Sequence, residues 1–235
     1  MHTKNRKAWK GAGMEGSIAR WYNRTRSKDM EDFRREASRI AGHLPEGASV
    51  LEVAPGPGFF SIELARLGNL KPGRFKITGL DVSRTFVEIA AENASKAGVA
   101  VDFQHGNASA MPFADDSFDF IYCSAAFKNF TEPVKALDEM HRVLRPAGQA
   151  VVVDLRKNVS VEDINDFVNR SGRSGFDAWI TKWTLRHMLI KRAYTQETLI
   201  QMAQQSRFGS CEITTDGLGI ELRLAKASLP AARAV

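Results

Sequence analysis

A doubly wound α/β sheet, mostly parallel, is the fold class predicted for this chain, and three observations predict it. Strand-like apolar runs alternate with helical periodicities from Ser49 to Leu155. Several runs, such as Val151-Val152-Val153, are continuously apolar, as strands covered on both faces are. Between the first strand and its helix stands Ala54-Pro55-Gly56-Pro57-Gly58, a tight turn of the kind that brings backbone close to a nucleotide-like ligand.

In chain order, Met30, Phe33, Ala37, Ile40 and Leu44 recur at helical spacing from Asp29, and Pro45-Glu46-Gly47 ends that helix. Ser49–Val53 is predicted as the first strand and Phe59–Leu67 as its helix, with Gly68 as a left-handed cap. Gly56 and Gly58 are read as positions where a Cβ would fill space that a ligand needs. Phe75–Asp81 forms the second strand and ends in a carboxylate 23 residues after Gly58. A right-handed βαβ unit sets that carboxylate beside the first turn, where it can accept two hydrogen bonds from a ribose diol. Ser83 caps the next helix, whose apolar face is Phe86, Ile89, Ala90, Ala94 and Ala97, and Gly98 ends it.

Val101–His105 is the third strand and Phe118–Ser124 the fourth. After a loop at 125–130, a helix over Glu132–Leu144 leads through Pro146-Ala147-Gly148 into the fifth strand, Gln149–Leu155. Ser160-Val161-Glu162-Asp163 reads as a capping box opening a short helix to Asn169, Ser171–Gly175 as a flexible joint, and Asp177–Lys191 as a second helix. Thr195 starts a further helix, and 210–215 pairs with 220–224 as a hairpin around Asp216-Gly217-Leu218-Gly219. The tail from Ser228 is expected to fray.

The 235 residues suit one globular domain over 29–235, preceded by a basic arm at 1–28 and carrying a helical lid at 158–194. The arm holds eight Lys or Arg against Glu15 alone, so it carries +7 and the remainder of the chain −1 of the net +6. A solvated terminus is the reading preferred for it, and no nucleic-acid module accompanies it, so nucleic acid is not an expected partner. No run is long and apolar enough to span a bilayer, and the first residues lead into no apolar signal segment, which predicts a soluble, cytoplasmic protein. Cys123 and Cys211 form no metal-ligand pair or disulfide framework, no metal is expected, and oligomeric state is not readable.

Four segments together resemble one family. They are Leu51-Glu52-Val53-Ala54-Pro55-Gly56-Pro57-Gly58; Gly79-Leu80-Asp81-Val82-Ser83; Gly106-Asn107-Ala108 followed by Met111-Pro112-Phe113 and Asp116-Ser117-Phe118-Asp119; and Arg142-Val143-Leu144-Arg145-Pro146-Ala147-Gly148. In this order and spacing, the stretch Val50–Leu155 resembles the core of class I S-adenosylmethionine-dependent methyltransferases. It is most similar to the subgroup holding the ubiquinone and menaquinone biosynthesis enzymes. The resemblance implies a seven-stranded Rossmann-like sheet with its last strand antiparallel, S-adenosyl-L-methionine as cofactor, and methyl transfer to a small molecule. It also implies that Glu52, Ala54, Pro55, Gly56 and Gly58 line the methionine end, Asp81 binds the ribose, Val82 meets the adenine, Asn107 and Ala108 lie at the adenine edge, and Ser124 runs beside the methionyl group. Tyr22 and Trp21 are expected to fold over the site.

Three departures stand out: Ala54 where the family commonly has glycine, Asn107 where it has an acid, and Phe127-Lys128-Asn129 where many relatives place two histidines. Phe127 and Lys128 are therefore candidate acceptor contacts, with Lys128 otherwise read as a solvated loop charge. Trp179, Trp183, His187 and Ile190 share one helical face that either roofs an acceptor pocket or packs in the core. His187 is the candidate base, ahead of His105 and His141. An RNA or protein methyltransferase using the arm, a non-catalytic binding protein, and an NAD(P)-dependent oxidoreductase are the alternatives. Against the last, Ser61 stands where the dinucleotide fingerprint needs its third glycine.

Overall fold

A computed structural model describes residues 8–10, 13–70, 73–170 and 175–228. The expected Ser171–Gly175 joint lies mostly outside these residues, as do the first seven residues of the arm and the tail beyond Ser228.

Seven strands form one sheet: β1 (Ser49–Val53), β2 (Lys76–Asp81), β3 (Asp102–His105), β4 (Phe118–Ser124), β5 (Leu144–Leu155), β6 (Glu212–Asp216) and β7 (Gly219–Ala225). Their order is β3-β2-β1-β4-β5-β7-β6. The first five are parallel neighbours, and β7 runs antiparallel to both β5 and β6. The chain winds outward from β1 to β3, then crosses back to lay β4 on the other side of β1. That reversal opens a crevice beyond the carboxyl ends of β1 and β4.

Alternation along the strands builds two cores. Val50, Ile77, Phe120, Tyr122 and Val151 face α2 (Met30–Ala41) and α3 (Phe59–Gly68), meeting Ile40, Phe60 and Leu64. Leu51, Val53, Ile121, Cys123 and Val152 face α5 (Pro133–Val143) and α9 (Gln196–Gln205), meeting Leu137, Met140 and Leu199. Cys123 is buried and Cys211 half-buried, both free.

The predicted stop signals mostly behave as the sequence implies. Ser83 Oγ accepts from Phe86 N–H at the start of α4 (Arg84–Ala97), which ends at Gly98 with φ 68°. Ser160 and Asp163 exchange two hydrogen bonds, Asp163 N–H to Ser160 Oγ at 2.9 Å and Ser160 N–H to Asp163 Oδ2 at 3.2 Å, a reciprocal capping box for α6 (Val161–Arg170). Thr195 caps α9 more simply, its Oγ1 accepting Thr198 N–H at 3.2 Å. Gly68 departs from expectation: the helix runs through it and is capped by Asn69 in right-handed geometry. A Cβ on Gly68 would stand 2.8 Å from the Phe75 ring, so it is small to admit Phe75, not to turn the chain.

Two elements differ more. β5 begins at Leu144, five residues before the expected strand, with an irregularity that carries Ala147 at φ 65°. The expected Asp177–Lys191 helix is α7 (Gly175–Thr184), a π-helical segment Leu185–Leu189, and α8 (Ile190–Arg192). Between β3 and β4 no helix forms. Instead Arg142, backed by Glu139, donates to the carbonyls of Phe113 and Met111 at 2.7 and 3.1 Å and to Asp115 at 2.8 Å, pinning that loop to α5.

The arm is not the solvated terminus expected of it where it is described. Helix α1 (Gly16–Arg26) is moored by the arm's only acid. Glu15 accepts from Arg84 N–H and Thr85 N–H at 3.1 Å each and from Thr85 Oγ1 at 2.5 Å, on the amino end of α4. Partial burial opposes ionisation, yet these donors hold the carboxyl below the ordinary glutamate range. Among the described residues no helix is long and apolar enough to cross a membrane.

Candidate active site

Two carboxylates stand at the root of the crevice, each at a strand end. Asp81, the last residue of β2, accepts Gly56 N–H on Oδ2 at 3.0 Å and Ser83 N–H on Oδ1 at 2.8 Å. It thereby ties the glycine turn to the start of α4. Glu52, in β1, accepts Ser61 N–H at 3.1 Å and Ser61 Oγ at 2.5 Å from the first turn of α3. Both acids are buried, at 5% exposure each. Burial pushes the Glu52 carboxyl up to about 7 and the Asp81 carboxyl up to about 6, against the pull of their hydrogen bonds. Among the described residues neither has a cation beside it, so a cationic ligand in the crevice meets two carboxyl groups poised to ionise.

The turn itself is unequal in its parts. Ala54 holds φ 59° and donates its N–H to Leu80 O at 2.8 Å, so a side-chain-bearing residue occupies a left-handed position that glycine fills without strain. Gly56 also lies at φ 55°, and a Cβ there would meet only the Tyr22 ring, at 3.9 Å. The space above Gly56 is open, as expected. Gly58 is different: a Cβ would stand 2.7 Å from Phe103 and 2.9 Å from Ala90. Its smallness, assigned above to a ligand, serves the chain's own packing of α3 against α4 and β3.

The crevice beyond the strand ends is lined by Val53, Ala54, Leu80, Val82 and the run Gly106, Asn107, Ala108. Asn107 spends its side-chain oxygen on Ser109 N–H at 2.9 Å, shaping its own turn. Tyr22 leans over the near side, edge-on to Phe86 at 5.8 Å between ring centroids. The far side is closed by residues that periodicity did not single out. Trp9 forms an antiparallel bridge with Phe130, their rings 6.4 Å apart, and lines the crevice together with Ala8. Lys10 donates its N–H to Asn129 O at 2.7 Å and its Nζ to the Tyr194 hydroxyl at 2.8 Å. Residues 8–10 of the arm thus lie at the mouth of the crevice, and Trp9, the one aromatic among the first twenty residues, gave no periodic signal of this.

Several expected acceptor contacts lie elsewhere. Phe127 is 1% exposed and edge-on to Phe130 and Tyr194, a core residue. Lys128 corrects the solvated-charge reading: its Nζ donates to Asp154 Oδ1 at 2.6 Å and to Ala125 O at 2.7 Å, and the pair is buried. Asp154 also accepts Lys128 N–H and Leu155 N–H, so the pair stitches the loop after β4 to the end of β5. Ser124 ends β4 opposite Val153, half-buried beside this stitch. Trp21 is 59% exposed on α1, and Trp179 and Trp183 are 58% and 46% exposed on α7. The His187 side chain lies outside the described residues. His105 is exposed at the end of β3, and His141 packs edge-on against Phe208 on α5, where burial holds its imidazole below the usual range.

Comparison with known proteins agrees with this geometry. Residues 51–152 match a family model described as a methyltransferase domain. The demethylmenaquinone methyltransferase of Bacillus velezensis is 36% identical over 113 residues, 48% of this chain and 47% of that protein. The ubiquinone/menaquinone biosynthesis C-methyltransferase UbiE of Geotalea uraniireducens is 34% identical over 111 residues, 46% of each. This chain therefore matches about half the length of these curated relatives. Among solved structures, one titled a putative S-adenosyl-L-methionine-dependent methyltransferase from Methanococcus maripaludis superposes with a TM-score of 0.71 at 17% identity, covering 98% of this chain and 100% of that one. That likeness bears out the predicted fold.

Proposed function

We propose that this chain, whose residues 51–152 match a family model described as a methyltransferase domain, is a class I S-adenosylmethionine-dependent enzyme that transfers a methyl group to a small-molecule acceptor. The observation that carries the proposal is the Asp81–Gly56 hydrogen bond, which sets a buried acceptor-only carboxylate against an open glycine turn. The residues present fit the cofactor. A ribose diol has two donors to offer Asp81, and an ammonium and a sulfonium suit a crevice floored by Glu52 and Asp81. When bound, S-adenosyl-L-methionine supplies an activated methyl group for in-line displacement by the acceptor, with S-adenosyl-L-homocysteine as the leaving product.

In this reading Ala54, Pro55 and Gly56 hold the methionine end, with Gly58 setting the angle of α3 beneath them. Val82, Asn107 and Ala108 bracket the adenine, and Tyr22 covers the turn. Ser124, at the end of β4, flanks the reacting centre. The chain's contribution to rate is alignment and exclusion of water, and Trp9 and Tyr22 close the crevice from two sides. No protein nucleophile is required. The names of the demethylmenaquinone and ubiquinone/menaquinone relatives make hydroxylated aromatic rings of the quinol kind the first acceptor class to assay.

Calorimetry with S-adenosylhomocysteine on wild type and Asp81→Ala tests the cofactor site, and equal, tight binding by both refutes the role of Asp81. Labelled methyl donor with a panel of quinols, phenols, amines, thiols and carboxylates tests the reaction. Tight cofactor binding with no acceptor methylated would make the chain a binding protein instead.

A further inference from the structure

Helix α1 is held by one face and presents the other to solvent. On the held face Ala19 is buried together with Phe86 and Ile89 of α4, and Met14 and Tyr22 pack around them. Asn23 Oδ1 accepts from Asn93 Nδ2 at 3.1 Å, and Glu15 moors the start of the helix to the amino end of α4. The opposite face carries two rows side by side. Arg20 and Arg24, one helical turn apart, and Lys28 in the turn that follows are exposed along the first. Ile18, Trp21 and Thr25 form the second, with Ile18 46% and Trp21 59% exposed. Residues 16–28 hold four cations and no acid. Among the described residues only Arg26 of these four pairs with a carboxylate, Asp29 at 2.5 Å.

We propose that this outer face of α1 docks on an anionic lipid surface, with Ile18 and Trp21 entering the headgroup boundary and Arg20, Arg24 and Lys28 meeting lipid phosphates. The charge selects an anionic partner, since a leaflet of negative headgroups attracts each cation that faces it. A second copy of the chain would bring the same three cations and be repelled. The apolar row then separates lipid from nucleic acid. Phosphate backbones are gripped by cations and polar donors, and an isoleucine set beside those cations gains nothing there. At a bilayer boundary the same row has a place, because the indole and the aliphatic side chain can leave water while the long cationic side chains reach the phosphates. The buried face of α1 stays on α4 throughout, so docking requires no rearrangement of the helix. Tyr22 of the same helix leans over the crevice, so docking holds the near rim of the crevice at the lipid surface. The inference stands on the geometry of α1 and does not depend on the methyl-transfer reading.

The test uses the full chain with sedimentable vesicles, either phosphatidylcholine alone or phosphatidylcholine with about a quarter phosphatidylglycerol, a composition that gives an anionic leaflet. Binding to the anionic vesicles only, weakening as salt is raised, is expected. Ile18→Ala/Trp21→Ala and Arg20→Gln/Arg24→Gln/Lys28→Gln should each weaken it about tenfold or more, with circular dichroism and thermal midpoint unchanged. Brominated lipid should quench the tryptophan emission of the wild-type chain, and Trp21→Phe should remove most of that quenching. No vesicle binding, binding untouched by both variants, or quenching that survives Trp21→Phe overturns the proposal. So does binding lost only when Lys4, Arg6 and Lys7 are neutralised, which assigns it to the start of the arm. Salt-sensitive binding to an RNA duplex that the cation variant weakens and the Ile18/Trp21 variant does not, with no vesicle binding, gives the face to nucleic acid instead. A dimer that the Ile18/Trp21 variant converts to monomer gives it to a second copy of the chain, and either result overturns the lipid assignment.

Discussion

Ser61 donates both its backbone N–H and its hydroxyl to one oxygen of Glu52, joining the first turn of α3 to the carboxyl end of the first strand. The position that lacks the third glycine of a dinucleotide fingerprint is thus occupied by a side chain with work of its own. Removing the hydroxyl leaves a buried carboxyl short of a donor. Ser61→Ala is expected to cost about 1–2 kcal/mol. The loss should be larger at pH 8 than at pH 5, because Glu52, raised to about 7, is ionised only at the higher pH. Urea unfolding at the two pH values measures it.

The raised carboxyls also predict how cofactor binding follows pH. Their elevated values mean that the free protein holds protons which a cationic ligand displaces. Affinity for S-adenosylhomocysteine, which carries an ammonium, should rise as pH climbs through about 6 for Asp81 and about 7 for Glu52 and level off above. Calorimetry in two buffers of different ionisation enthalpy should register proton release at pH 6 and little at pH 8.5. For stability the sign is opposite: Glu52's favourable contribution is full below about 4.5 and declines as pH rises to about 7.

The two glycines of the turn should separate in mutagenesis. Gly56→Ala strains φ 55° but meets only Tyr22, so a stability loss of about 1 kcal/mol with a larger loss of cofactor affinity is expected. Gly58→Ala adds a clash with Phe103 and Ala90 to its strain at φ 79°, and about 3 kcal/mol of stability should go. Thermal melts paired with cofactor titrations distinguish them.

Lys128→Met should destabilise by about 3 kcal/mol, because Asp154 is left buried without its cation. Since water and salt do not reach the pair, the penalty should be nearly the same at 0.05 and 0.5 M sodium chloride. Denaturant unfolding at both salt concentrations reads the result.

Ala54→Gly tests strain in the opposite direction. Relief of φ 59° should outweigh the added freedom of the unfolded chain, raising stability by about 0.5 kcal/mol, seen as a higher urea midpoint at unchanged slope.

The sheet was readable because its cues are local. Strands β1 and β4 occur at their predicted bounds, and Ser83, Gly98, Ser160 and Thr195 act as caps, since each depends on neighbours within a few residues. Asp81 was also readable, because a βαβ unit converts a sequence interval into a spatial one. What escaped depends on partners far along the chain. Glu15 meets Thr85, Lys128 meets Asp154, and Trp9 meets Phe130, and nothing in their immediate neighbours announces it. Gly58 and Gly68 were misassigned for a related reason: a glycine shows that space is scarce, but not whether a ligand or a phenylalanine takes it.

The π-helical segment at Leu185–Leu189 has a consequence for how this insertion can change over time. A π-turn accommodates one residue more than the α-helix it interrupts, the form that a single-residue insertion takes when the helix on either side is kept. Winding the same residues into an unbroken α-helix without losing one would instead rotate Ile190 and everything after it by about 100° relative to Trp179 and Trp183. The wide turn therefore absorbs the extra residue and keeps Ile190 in phase with Trp179 and Trp183, so a lineage could gain or lose that one residue without repacking Ile190.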